Sequence, residues 1–152
     1  MTPDFKFRVV LVEDSKAILR LLSETFGDRG YEIFGFSNPA ICPLQMIPEC
    51  RCGVNQMCTD IIVSDLNMPN MTGLSFIENQ KKKNCKCKHV ALISANWTEQ
   101  ELSLAHKLGC KIFTKPFFFQ EFDEWLDEVE KTIDPTRELY NWFQDKGCLS
   151  EK

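Results

Sequence analysis

The chain lacks any apolar run that could span a bilayer, which takes roughly 20 residues. Its first six residues, MTPDFK, lack the apolar stretch of a secretory signal. It has no basic excess: 18 Lys and Arg stand against 22 Asp and Glu, a net charge of -4, so the footprint of a nucleic-acid binder is missing. The one basic run, Lys81, Lys82 and Lys83, reads as a solvated helix end. Internal repeats and low-complexity segments are also lacking. These absences predict a cytoplasmic globular protein with neither membrane nor nucleic acid as partner. Its 152 residues suffice for one domain with a real core.

Cysteine, by contrast, is abundant: eight residues, many for a cytoplasmic chain. Without a signal peptide, metal binding or redox chemistry is a stronger reading of them than structural disulfides.

Strand-like and helix-like segments alternate. Near-continuous apolar runs at 7–12, 31–36, 61–64, 90–94 and 111–114 predict strands buried on both faces. Between and after them, helices are predicted over 15–26, 37–47, 72–82, 98–107 and 118–132. A further short helix is predicted over 136–146, and the stretches 49–59 and 84–88 read as irregular. Five such pairs argue for a parallel sheet covered by helices on both faces. Strand order does not follow from the pattern.

Two of the strands end on acid. Val9 to Val12 runs into Glu13 and Asp14, and Ile61 to Ser64 runs into Asp65, which opens the string Asp65-Leu66-Asn67-Met68-Pro69-Asn70-Met71-Thr72-Gly73. Open α/β sheets place their chemistry at the C-terminal strand ends. Two acidic clusters there need a cation or a base between them, which points to a hard divalent metal with Asp65 as a phosphate acceptor. Taken singly, each residue has a plainer reading: Glu13 and Asp14 or Ser94 as helix caps, Lys115 as a surface lysine. Their coincidence at the same ends of separate strands favours a joint site.

With Asp65-x-x-Met68-Pro69-x-Met71-x-Gly73, the upstream Glu13-Asp14 pair, Ser94-Ala95 and Lys115-Pro116-Phe117, the chain resembles the receiver domain of bacterial two-component response regulators. The resemblance covers residues 6–132, leaving 133–152 as a short helical extension without an output domain. It implies a doubly wound (βα)5 flavodoxin-like fold with strand order 2-1-3-4-5. It implies that Asp65 accepts a phosphoryl group from a histidine kinase or phosphotransfer protein. By the same resemblance Asp14 ligates Mg²⁺ directly, Glu13 acts mostly through bound water, and the Asn67 backbone carbonyl is a further ligand, with Asp65 completing the set. Lys115 then pairs with the phosphoryl oxygens, and Ser94 donates its hydroxyl to them. The chemistry agrees, since carboxylate attack on phosphorus needs its like charges shielded. A signalling switch is expected rather than an enzyme with a separate substrate. It would phosphorylate itself from a donor and dephosphorylate itself. Its output would be phosphorylation-dependent protein binding by a monomer or weak dimer, through a face over 98–132 where His106, Trp125 and Phe117, Phe118 and Phe119 are candidates.

The chain departs from the family in two places. Three residues before Lys115, where the family carries Tyr or Phe, stands Ile112. Either Phe113 takes the switch role or the aromatic switch is absent. The second departure is the cysteine set. Under the implied strand order, Cys50, Cys52 and Cys58, together with Cys85 and Cys87, gather at the N-terminal ends of the third and fourth strands, away from Asp65. That is enough thiolate for a tetrahedral zinc site, with His89 as a possible substitute ligand. A redox disulfide or incidental thiols are the other readings. Cys42, Cys110 and Cys148 read as small apolar fillers. The rival to the switch is therefore a metal-stapled or redox-responsive interaction module with vestigial phosphorylation. The tail beyond 132 either packs back or offers a docking helix.

Overall fold

The computed structural model describes residues 6–38, 42–46, 48–50, 52–53, 55–68 and 71–141, save the side chains of Pro43 and Met46. The elements in chain order are β1 (Arg8–Val12), α1 (Lys16–Asp28), β2 (Glu32–Phe36), α2 (Pro43–Met46), β3 (Gln56–Met57), β4 (Ile61–Asp65), α3 (Gly73–Lys82), β5 (His89–Ser94), α4 (Glu99–Lys107), β6 (Lys111–Thr114), α5 (Phe119–Thr132) and β7 (Glu138–Leu139). β2-β1-β4-β5-β6 form one sheet, parallel throughout, which is the expected 2-1-3-4-5 order counted within that sheet.

Alternation along the strands splits the core in two. Val9 and Leu11 of β1 face Leu22 and Phe26 of α1 and Phe122, Leu126 and Val129 of α5. Val10 and Val12 face the opposite way, toward Leu74, Phe76 and Ile77 of α3 and Ala105 of α4. Because both faces are covered, every residue of β1 and β4 is buried, which is why their sequences run apolar without alternating. Three helices start on hydroxyl caps. Ser15 accepts from the Ile18 N–H at 3.3 Å and Thr72 from the Ser75 N–H at 3.1 Å, while Thr98 and Glu101 form a reciprocal capping box.

Two predicted helices are corrected. The helix expected over 37–47 is, among the described residues, only the four of α2; residues 39–41 and 47 lie outside them. Its last carbonyls are taken by other elements. Gln80 Nε2 and Lys83 Nζ both donate to the Leu44 carbonyl at 2.9 Å, and Lys83 Nζ to Gln45 at 2.8 Å. Of the helix expected over 136–146, the described residues 136–141 form no helix and include the two-residue strand β7, and 142–152 lie outside the described residues. β7 pairs in parallel with β3, itself inside the stretch read as irregular.

That pairing draws the chain after α5 back across the N-terminal ends of the sheet strands. The Arg137 guanidinium forks onto Asp60, at 2.8 Å to Oδ1 and 2.5 Å to Oδ2, with both residues buried. Arg8 donates to the carbonyls of Cys58 at 3.0 Å and Tyr140 at 2.9 Å. A regular helix at 136–146 would forfeit these bonds.

Candidate functional site

The C-terminal ends of β1, β4 and β6 converge on one acidic pocket. Glu13, Asp14 and Asp65 each offer a carboxylate oxygen within 4.8 Å of the others. Glu13 and Asp65 are buried and Asp14 is exposed. Lys115, carried just past β6, reaches in from the far side. Its Nζ lies 3.3 Å from Asp65 Oδ1 and 3.6 Å from Glu13 Oε1. One ammonium thus faces two of the three carboxylates.

The imbalance shows in the acids. Burial pushes the Glu13 carboxyl up to about 7; the Ser15 N–H and Lys115 oppose this, while Asp65 and Asp14 add to it. Burial also raises Asp65, against the pull of Lys115 and with a further push from Asp14. Apart from the 3.6 Å ion pair to Lys115, Glu13 Oε1 is buried without a hydrogen-bond partner among the described residues. An orphaned buried carboxylate oxygen beside two more carboxylates fits a small hard cation such as Mg²⁺, which takes one or two carboxylates and fills its remaining positions with water and phosphate oxygens.

The neighbouring loops set the pocket's shape. The Leu66 N–H donates to the Ile93 carbonyl and the Gly73 N–H to the Leu66 carbonyl, both at 2.8 Å, folding the loop after Asp65 back on itself. Gly73 lies so close that an added Cβ would collide with the Asp65 carbonyl oxygen and press on Ser64 Oγ at 3.0 Å. Across the pocket, Ser94 Oγ donates to the Asn96 carbonyl at 2.8 Å and accepts from the Asn96 N–H at 3.2 Å and from Asn67 Nδ2 at 3.1 Å. The Lys115 N–H is tied to the Ser94 carbonyl at 2.8 Å. The expectation for Asn67 concerned its backbone carbonyl; the side-chain bond to Ser94 was missed, its only signal being a polar residue in that loop.

Comparison with known proteins decides the family. The family described as response regulator receiver domain matches residues 9–127. The chain belongs to the response regulator receiver domain family. The chemotaxis protein CheY of Thermotoga maritima is 27% identical over 125 residues, covering 82% of this chain and 98% of the relative. The non-phosphorylated HemR receiver domain from Leptospira biflexa matches with a TM-score of 0.69 and 26% identity, over 86% of this chain and 98% of that one. A protein-glutamate methylesterase/protein-glutamine glutaminase of Xanthomonas oryzae pv. oryzae is 35% identical over 80 residues. That match covers 52% of this chain and 20% of the relative, so the matched stretch spans a fifth of that longer protein.

Within this receiver the two switch candidates face opposite ways. Phe113 sits in the α1/α5 half of the core, against Phe117, Phe122 and Trp125, on the side away from Ser94's loop. Ile112 faces the other half, where Trp97 packs. Strand alternation therefore turns Phe113 and Ile112 to opposite faces of the sheet. Trp97, three residues after Ser94, donates its indole N–H to the Phe113 carbonyl at 3.2 Å. It places an aromatic in the same half of the core as Ile112, from the loop rather than from the strand. Of the expected surface phenylalanines, Phe118 is 75% exposed, while Phe117 packs against the core.

The cysteines of the receiver divide in the same plain way. The thiols of Cys50, Cys52, Cys58 and Cys85 form a string of neighbours: Cys58 Sγ lies 4.0 Å from Cys85 Sγ, the Cys52 N–H points at Cys50 Sγ at 3.5 Å, and Cys52 is influenced by both Cys58 and Cys50. The neighbouring Cys58 draws the Cys52 and Cys85 thiols down to about 7, and their proximity raises Cys58. Cys87, expected in the same set, instead turns its thiol to the carbonyls of His89 at 3.5 Å and Asp60 at 3.6 Å. His89 bonds to Thr132 through Nε2 at 3.0 Å. Cys42 and Cys110 are buried as expected, and Cys148 lies outside the described residues.

Proposed function

We propose that this receiver is a phosphorylation switch in which Asp65 takes a phosphoryl group from the phosphohistidine of a histidine kinase or phosphotransfer protein. The observation that carries the reading is the Lys115 ammonium set between Asp65 and Glu13 at the mouth of the acidic pocket. The Asp65 carboxylate attacks phosphorus, its new P–O bond forms as the P–N bond of the donor breaks, and the electron pair leaves with the imidazole. Glu13, Asp14, Asp65 and the Asn67 carbonyl hold Mg²⁺, which when bound offsets the charge of the reacting oxygens. Lys115 moves from carboxylate to phosphoryl oxygen. Ser94 exchanges the Asn96 carbonyl for the same group, carrying its loop with it.

The switch occupies residues 6–132 and the remainder is an extension on it. It works in the cytoplasm as a monomer or weak dimer and acts on no substrate beyond its own aspartate. Its output is binding of a protein partner to the face of α4, β6 and α5, where Phe118 and His106 are exposed.

The test is a Mg²⁺-dependent gain of one phosphoryl group from acetyl phosphate, read as intact mass. It should be abolished in Asp65→Asn and strongly slowed in Lys115→Ala. An unmodified wild-type protein, or an adduct that survives in Asp65→Asn, would reject the assignment.

A further inference from the structure

We infer that Cys50, Cys52, Cys58 and Cys85 form a binding site for one zinc ion, at the end of the sheet opposite the acidic pocket. Cys50 and Cys52 come from the segment after α2, Cys58 from the turn after β3, and Cys85 from the loop between α3 and β5. Three chain segments thus carry four neighbouring thiols, no three of them mutually within 4.8 Å. Sulfurs about 2.3 Å from a tetrahedral zinc sit roughly 3.8 Å apart. The Cys58–Cys85 separation of 4.0 Å is already close to that. The four form an open string rather than a closed set, so the ion would draw Cys50 and Cys85, its two ends, inward.

The surroundings suit a thiolate centre. The Cys52 N–H points at Cys50 Sγ at 3.5 Å, a donor already aimed at sulfur. Four thiolates on Zn²⁺ leave two negative charges. Lys86 approaches Cys52, its Nζ 3.0 Å from the Cys52 carbonyl, while Lys81 and Lys83 act on Cys85. Asn84, immediately before Cys85, takes a left-handed φ of 63°, the tight turn that brings that thiol round.

The segment also brings little else to the interior. Among its described residues from 48 to 59, only Cys52, Cys58 and Thr59 are buried. A stretch with so little apolar surface gains order when a metal ties it down, since site formation and folding are coupled. A disulfide would join two of the four thiols and leave the others. Soft thiolate sets select zinc over the hard ion of the acidic pocket.

The decisive experiment uses the full chain, reduced and then freed of metal. Zinc should bind at one equivalent and protect Cys50, Cys52, Cys58 and Cys85 together from alkylation, mapped by peptide mass spectrometry. Cys87 and Cys110 should react at the same rate with and without metal. Cobalt in place of zinc should give the intense thiolate-to-metal absorption of a tetrahedral sulfur site. That band should be lost in Cys58→Ser and Cys85→Ser and kept in Cys87→Ser. Absence of metal-dependent protection in the wild-type chain would overturn the site, as would a Cys58–Cys85 disulfide in protein isolated without reductant. None of these readouts depends on Asp65, so the acetyl phosphate test stands or falls separately.

Discussion

At the residue scale, the pocket's behaviour follows from a surplus of carboxylate. Glu13 ordinarily titrates near 4.5 and is raised to about 7 in the fold. Between those values the folded chain binds more protons than the unfolded one. Metal-free stability should therefore fall as pH rises from about 4.5 to 7. Mg²⁺ competes with those protons, so its affinity should climb over the same window. Denaturation midpoints with and without Mg²⁺ at several pH values check both slopes, and Glu13→Gln should flatten them. Gly73 carries a different constraint. Gly73→Ala forces a methyl against the Asp65 carbonyl and should cost about 1–3 kcal/mol, read from urea unfolding, and should slow the acetyl phosphate reaction by displacing Asp65. Trp97 reports the third. With Trp125 and Trp142 replaced by Phe, its fluorescence should change on phosphorylation, because Ser94 and Trp97 ride on one loop. An unchanged emission in fully phosphorylated protein would separate that loop from the switch. Asp14, Asp65, Ser94 and Lys115 were legible in sequence because each sits at a strand end that its own apolar run announces. Trp97 and the Asn67 side chain were not, since their roles depend on loop geometry.

At the scale of elements, the parallel strands and long helices were legible because burial on two faces writes itself into composition. What escaped were α2, β3 and β7. Their form is decided by distant partners: Gln80 and Lys83 end α2, and Arg137 and Arg8 hold the chain of β7 extended. The pattern over 136–143, with Leu139, Tyr140, Trp142 and Phe143, matches helical spacing, but local periodicity carries no information about a buried arginine seeking Asp60. Arg137→Ala should be the costly change here. It strips Asp60 of its guanidinium while the carboxylate stays buried, leaving only the Arg8 N–H at 2.9 Å among the bonds described. A loss of about 3–5 kcal/mol is expected. Arg137→Lys should recover only part of it, because a lysine cannot fork onto both oxygens. Chemical denaturation of the two variants distinguishes a bidentate pair from a merely charged one.

At the scale of the whole molecule, the sheet has two chemically different ends. Carboxylates and a lysine collect where its strands finish; thiols and the returning chain collect where they begin. The two ends share β4, which runs from Ile61, next to Asp60, at one to Asp65 at the other. The return of the chain bears on how the protein is made. All five strands of the sheet are in hand once Thr114 has been synthesised, whereas Arg137 and Tyr140 reach back over 77 and 132 residues to Asp60 and Arg8. Synthesis proceeds from the N-terminus. The nascent chain on the ribosome thus passes through an interval in which the sheet can assemble while Asp60 still awaits its arginine. Ribosome-arrested chains released to protease just before and just after Arg137 emerges should differ in resistance, the longer being the more protected.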